Sequence, residues 1–268
     1  MSGHVLPLVG STQPWRGGEV TALASCVLAP NPSPWTLDGT NTWVLGAADE
    51  PAVIVDPGPD ALAHREAVLE ATGDRGVALI VLTHGHLDHS EGALALARAT
   101  GAQIRAVDPR LRLGDEGLAP GDVIDVAGGC EVVLTPGHTS DSAVLLLRED
   151  GSFVSGDTIL GRGTALVAHP DGVLADYLDS LRRLRDLAGG LDTVLPGHGP
   201  ALTHASAVID AYLEHRLARL DEVREVRATG IATARGIVEI VYADVPREIW
   251  PAAELTVQAQ LAYLDERG

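Results

Sequence analysis

The heptapeptide Thr83-His84-Gly85-His86-Leu87-Asp88-His89 places four side chains able to ligate a metal within six residues. It follows the apolar run Val77–Leu82, which reads as a buried strand, so the cluster lies just past a strand end. Gly85 allows a tight turn that brings His84 and His86 to one side. Asp88 and His89 then address a second position, near the start of the helix that follows. Imidazole nitrogens with a carboxylate oxygen form the donor set suited to zinc or a similar borderline divalent metal. The plain alternative is a solvated polar loop, and three histidines with an aspartate at this spacing argue against it.

Three further apolar strands end in turns of the same kind. Cys130–Leu134 runs into Thr135-Pro136-Gly137-His138-Thr139, Ser152–Val154 into Ser155-Gly156-Asp157, and Thr193–Leu195 into Pro196-Gly197-His198-Gly199-Pro200. Each motif is weak alone, because a histidine in a turn is more often structural than ligating. Four at equivalent places are a pattern, since layered α/β folds gather their sites at the carboxyl ends of strands. Counting donors, His84, His86 and His138 supply one metal, and Asp88, His89 and His198 supply a second. Asp157 offers one oxygen to each. Such sites are open and leave room for a hydroxide bridging the two ions. The net positive centre lowers the pKa of that water and stabilises an oxyanion, with Asp88 orienting the water or handling its proton. The chemistry is hydrolysis at a carbonyl carbon or a phosphorus.

The elements that must position these residues read as follows. Strands over 20–28 and 40–46 flank the Pro/Gly-rich segment 31–39, which is a surface excursion or one wall of a pocket lined by Trp35. Strand 52–55 ends at Asp56, either a direct ligand or a group that holds a ligand histidine from behind. Helix 60–72 carries His64 as a surface residue. A helix over 91–100 and a strand over 103–107 come next, then strands 122–126, 130–134 and 142–148, the last paired with 152–154. The loop Leu160-Gly161-Arg162-Gly163-Thr164 follows Asp157 and adds Arg162 and Thr164 as substrate candidates, ahead of a helix over 176–187. Beyond His204 the character changes. One long charged helix spans 205–228, the break Thr229-Gly230 leads into 233–242, and a last helix covers about 252–264. This divides the chain into a catalytic domain, 1–204, and a small helical module, 205–268, that is structural or covers the pocket.

The 268 residues carry a net charge of −18, and all 19 basic residues are arginine. Without lysine there is no Schiff base and no lysine phosphate clamp. The acidic balance disfavours DNA, as does a final helix rich in Glu and Gln. Cys26 and Cys130 read as two reduced, buried thiols. The stretch MSGHVLPLVGSTQPW lacks the charged start and apolar run of a signal peptide, and no apolar run is long enough to span a membrane. The expectation is a cytoplasmic, bacterial enzyme, monomeric or homodimeric.

THGHLDH, PGHT, SGD and PGHG in this order resemble the metallo-β-lactamase-fold hydrolases, over residues from about 20 to 204. The resemblance implies an α/β (α+β) four-layer αββα sandwich with a dinuclear site at one edge. It also implies His84, His86, Asp88, His89, His138, Asp157 and His198 as ligands, and two Zn2+ ions as cofactors, with other divalent metals open. NPSPWTLDGTNTWVLG, SGDTILGRGT and the pair His215-Arg216 are similar to the beta-lactamase-like protein 2 subgroup, whose C-terminal region is helical and winged-helix-like. There His215 and Arg216 lean toward the active site; on an ordinary charged helix they would be exposed. Leu220 stands where the resemblance leads one to expect an acidic residue beside Arg219.

An aspartate at position 157 and the lack of lysine separate the chain from true β-lactamases, so β-lactam hydrolysis ranks low. About 40 residues separate Asp157 from His198, too few for the insertion of β-CASP-type RNA-processing enzymes. The basic C-terminal substrate pattern of glyoxalase II is not evident, and no flavin domain accompanies the fold as di-iron members require. A small-molecule ester or thioester is the leading substrate. Single-stranded RNA is the alternative, with Arg162 and Arg216 as phosphate contacts; the acidic charge and the scarcity of aromatics weigh against it.

Overall fold

A computed structural model describes residues 13–126 and 128–267, so the amino-terminal stretch read for a leader lies, up to residue 12, outside the described residues. Two sheets face each other. The first is built in the order β1 (Gly18–Glu19), β2 (Ala24–Leu28), β3 (Asn41–Leu45), β4 (Ala52–Val55), β5 (Val77–Val81), β6 (Gln103–Arg105). The second runs β11 (Thr193–Pro196), β10 (Ser152–Gly156), β9 (Ala143–Leu147), β8 (Cys130–Leu134), β7 (Val123–Ile124). Both are mixed: β4, β5 and β6 pair in parallel, as do β10 and β11, and the other pairs are antiparallel.

The period of two along each strand sorts side chains into layers. Trp43, Leu45, Val53, Val55 and Val81 point inward and meet Val132, Leu145, Leu147, Val154 and Leu195 of the second sheet. The alternate residues Val44, Ile54 and Ile80 point outward against Val68 of α1 (Leu62–Thr72) and Leu96 and Ala97 of α3 (Ala93–Thr100). On the far side, Val144, Leu146, Phe153 and Val194 pack against α4 (Leu174–Leu187) and the first half of α5 (Ala205–Ala228). These are the four layers αββα. Strands buried on both faces carry continuous apolar runs such as Ala143–Leu147.

The second half of α5 joins a separate small core. Val223 packs there with Ile237, Val238 and Val241 of α6 (Ala234–Val241) and with Trp250, Ala253 and Val257 of α7 (Trp250–Arg267). Leu220, in the place where an acidic residue was expected, is buried in the main core. Arg219 finds its acid one turn on, at Glu222, 2.7 Å away.

Several expected boundaries move. The helix after the histidine cluster is two pieces, α2 (Leu87–Ser90) and α3. α4 begins two residues earlier than expected, and α7 begins at Trp250, because Pro251 is tolerated in a first turn, where no backbone N–H is needed. His64 is not a surface residue: it is 2% exposed, and its Nε2 lies 2.9 Å from the Thr42 hydroxyl. Cys26 and Cys130 are free and buried, and burial pushes both thiols up to about 12. No helix among the described residues is long and apolar enough to cross a membrane.

Candidate metal centre

The four turns converge at one edge of the sandwich. His84 and His86 follow β5, His138 follows β8, Asp157 follows β10 and His198 follows β11, while Asp88 and His89 lie on α2. The ligand atoms of His84, His86 and His138 lie within 4.8 Å of one another, as do those of Asp88, His89 and His198. The structure brings together the residues of both triads that the spacing suggested, and it sets Asp56 within the same distance of His84 and His89.

Four of the five histidines are aimed by a group behind them. His84 Nδ1 lies 3.0 Å from the Thr83 hydroxyl, which itself donates to Asp56 Oδ2 at 2.6 Å. His89 Nδ1 lies 2.9 Å from the same Asp56 oxygen, His138 Nδ1 2.6 Å from the Leu166 carbonyl, and His198 Nδ1 3.2 Å from the Gly39 carbonyl. In all four the acceptor assigns the proton to Nδ1 and leaves Nε2 as a lone-pair donor facing the centre. That is the arrangement by which outer groups set the tautomer of metal-binding histidines. His86 is reversed and presents Nδ1, 3.1 Å from His84 Nε2 and 3.1 Å from His138 Nε2. His89 Nε2 and His198 Nε2 are also 3.1 Å apart.

The donor set fits divalent cations on three counts. Imidazole lone pairs meeting at 3.1 Å repel unless a cation or a proton sits among them. Asp157 spans both triads, with Oδ1 3.5 Å from His89 Nε2 and Oδ2 3.5 and 3.7 Å from the Nε2 atoms of His198 and His138. Its Oδ1 is buried with no hydrogen-bond partner, which is costly for a carboxylate oxygen unless it meets a cation. The electrostatics agree. Burial alone would raise Asp157, but His198 and His89 hold it well below the usual carboxylate range. Burial works to lower His89 and His198, yet Asp157 outweighs it in both, lifting His89 well above its ordinary value and His198 to about 9. The second triad is therefore a strongly cation-seeking place. Burial leaves His84 and His138 below the ordinary histidine value, so they are neutral donors.

Asp56 supports the centre from behind. Its oxygens are taken by the Thr83 amide at 2.8 Å, the Thr83 hydroxyl and His89, and its backbone is left-handed, with φ of 53°. Leu37 and His204 share this region, which non-glycine residues seldom adopt. Gly197 has no alternative: a Cβ there would come within 2.4 Å of Asp157 Oδ1 and 2.7 Å of His89.

Sequence reasoning missed the residues that lock the turns. Asn41 donates to the carbonyls of Pro196 and Gly199 at 2.9 and 2.8 Å, and the Trp43 indole donates to Pro196 at 3.0 Å. The Thr-Asn-Thr-Trp segment carried these residues, but nothing local assigns them a partner 150 residues away. Tyr177 and Tyr212 do the same for the loop after Asp157, through Thr158, Leu160 and Gly163.

A cavity of about 410 Å³ opens from this centre. His86, Asp88, His138, Asp157 and His198 line it, and so do Trp35, Arg162, Thr164, His215 and Arg216. Trp35 is half-exposed on its wall. Arg162 is ion-paired with Asp38. Arg216 is buried rather than displayed on a solvated helix face.

Such a centre at the edge of an αββα sandwich defines the metallo-β-lactamase fold, and residues 35–128 match the family model described as metallo-beta-lactamase superfamily. Residues 233–268 match the beta-lactamase associated winged helix domain. The chain belongs to the metallo-beta-lactamase superfamily and is a hydrolase of that kind. Within it, the chain is 31% identical to the Beta-lactamase-like protein 2 homolog of Drosophila melanogaster, over 93% of this chain and 91% of that one. It is 29% identical to the atrochrysone carboxyl ACP thioesterase of Aspergillus fumigatus, over 83% of this chain and 74% of that one. A crystal structure of a beta-lactamase domain protein from Burkholderia ambifaria superposes with a TM-score of 0.81 at 25% identity, covering 96% of this chain and 90% of that one.

Proposed function

We propose that this protein hydrolyses a small acyl ester or thioester at a dinuclear zinc centre. His84, His86 and His138 would hold one ion, Asp88, His89 and His198 the other, and Asp157 both. Nitrogen-rich donors with carboxylate oxygens suit zinc. Two such cations would supply Lewis acidity, lowering the pKa of a water and offsetting charge that builds on the substrate oxygen. Asp88 is the most open carboxylate of the cluster, about a third exposed, with Oδ2 3.2 Å from His198 Nε2. It orients the attacking water and accepts its proton. A C–O bond forms, the C–S or C–O bond of the ester breaks, and the proton passes to the departing thiolate or alkoxide.

The observation that carries the acyl reading is the cavity. Most of its wall is apolar, from Leu37, Leu160, Leu166, Val245, Ile249, Ala252 and Ala253, and it is not a basic groove. Arg162 is neutralised by Asp38, and the net charge of −18 repels a polyanion. A relative named as an ACP thioesterase supports the same chemistry. The test sets a panel of acyl thioesters beside a short labelled single-stranded RNA, with wild type and Asp157→Ala. Thioester turnover that falls about a thousandfold in the variant is expected. RNA cleavage abolished by the variant, with no thioester turnover in wild type, overturns the reading.

A further inference from the structure

Buried arginines are normally paired with an acid, because an uncompensated charge in a low-dielectric interior is costly. The three arginines around the cavity and its helical wall differ sharply in this respect. Arg162 has Asp38, and Arg219 has Glu222 and the Val241 carbonyl. Arg216 is 4% exposed and lines the cavity, and no carboxylate pairs with it among the described residues. Its guanidinium lies 5.0 Å over the Tyr177 ring and donates from Nη2 to the Ala165 carbonyl. Its Nε is buried without any partner. His215 beside it adds no charge at neutral pH, since burial and the two neighbouring arginines lower it to about 4.

The backbone fixes where this charge sits. Ala165 accepts from Arg216, and the next residue, Leu166, accepts from His138. The guanidinium is thus tied to one peptide and a metal-facing histidine to the adjoining one. The same cavity is lined by Leu160, Leu166, Val245, Ile249, Ala252 and Ala253, with Thr164, Tyr242 and Thr256 as its uncharged polar side chains. An apolar chamber with a single unpaired buried cation beside the reacting centre has the form of a subsite for a ligand that is apolar in body and anionic at one point.

We propose that Arg216 is a specificity-determining residue that selects acyl groups carrying an anionic substituent, such as a second carboxylate, a few bonds from the scissile carbonyl. This rests on the acyl-hydrolase reading, and its test is independent of turnover. The metal-loaded protein is titrated calorimetrically with naphthalene-2-sulfonate, a weak metal ligand, and with the neutral methyl 2-naphthyl sulfone of nearly the same shape. Wild type is expected to prefer the sulfonate by about tenfold or more, the scale of a buried charge-assisted contact. Arg216→Met, which keeps the length and apolar bulk, is expected to lose that preference. No preference in wild type, or the same preference in folded Arg216→Met, overturns the proposal.

Should the variant not fold, a crystal structure of wild type with the sulfonate decides. Sulfonate oxygens on the Arg216 guanidinium support the proposal; a sulfonate seated on the metal ligands or elsewhere overturns it. Turnover of glutaryl and pentanoyl thioesters then separates the two readings. Sulfonate preference without turnover of either fails the hydrolysis reading alone, whereas equal turnover of both fails the anion subsite alone.

Discussion

The cavity has two unlike halves. Its floor is a set of polar side chains on α2 and on the turns after four strands, and four of its histidines are aimed by a hydrogen bond from behind. Its far wall is largely apolar: Val245, Ile249, Ala252 and Ala253 come from α7 and the segment before it, and α5 adds His215 and Arg216. The floor depends on atoms placed to within a few tenths of an ångström, and Gly197 shows that even a methyl group is too much. The wall depends on volume, and the small core of Val223, Ile237, Val238, Trp250 and Val257 behind it holds it in place. On the proposed function, the floor would carry the reaction type and the wall the choice of substrate, so that each could be changed without the other.

That division can be broken or sharpened by experiment. The largest effect is expected at the floor: Asp157→Ala lowers turnover about a thousandfold and removes metal, measured as bound zinc per chain, with the circular dichroism spectrum unchanged. Metal content at the wild-type level in Asp157→Ala would break the assignment. Next comes acid stability. His64 is buried and uncharged, held by burial at about 4 against its ordinary 6.5. Between these values the unfolded chain binds a proton that the folded chain refuses, so this contribution to stability falls as pH drops through the window. Urea unfolding at pH 7 and pH 5 should show His64→Gln losing about 2 kcal/mol less than wild type on acidification. His215, also lowered to about 4, acts in the same direction and is left in place as the background.

Asp56→Asn is smaller in effect and more informative. It keeps the shape but weakens the hold on His89 and Thr83, and zinc affinity should fall 10–100-fold, roughly the cost of losing such a supporting partner. A variant that binds zinc as wild type does would mean that the histidines are aimed by packing alone. Tyr212→Phe should be the mildest. It removes the hydroxyl that donates to Gly163 and accepts from the Leu160 amide, costing about 1 kcal/mol of stability and raising KM, with zinc content unaltered. A loss of zinc here would show that wall and floor are not separable.

The same contrast explains what could be read from sequence. The floor is local: His84, His86, Asp88 and His89 lie within six residues, and Asp157, His138 and His198 each announce themselves by a strand, a glycine and a polar side chain. The layers follow from the alternation along β3 and β9. What was not legible depends on distant pairing. His64 carried no local sign that a strand would cover it and that Thr42 would meet it. Arg216 on a helix rich in Arg and Glu looks like its neighbours, and only the packing of α5 on α4 separates it from Arg219. Asn41 and Trp43 reach the turn of His198 across the chain, through contacts that no short window contains.

α5 is 24 residues long without a break, about 36 Å of rod. Its first half is bolted into the main core through Ile209, Tyr212 and Leu213, and its second half anchors the C-terminal core through Val223. A lid needs a joint, and this rod has none between the sheet it rests on and the wall it carries. His215 and Arg216, the residues that α5 brings to the chamber, are therefore held by the same rod that rests on the sheet.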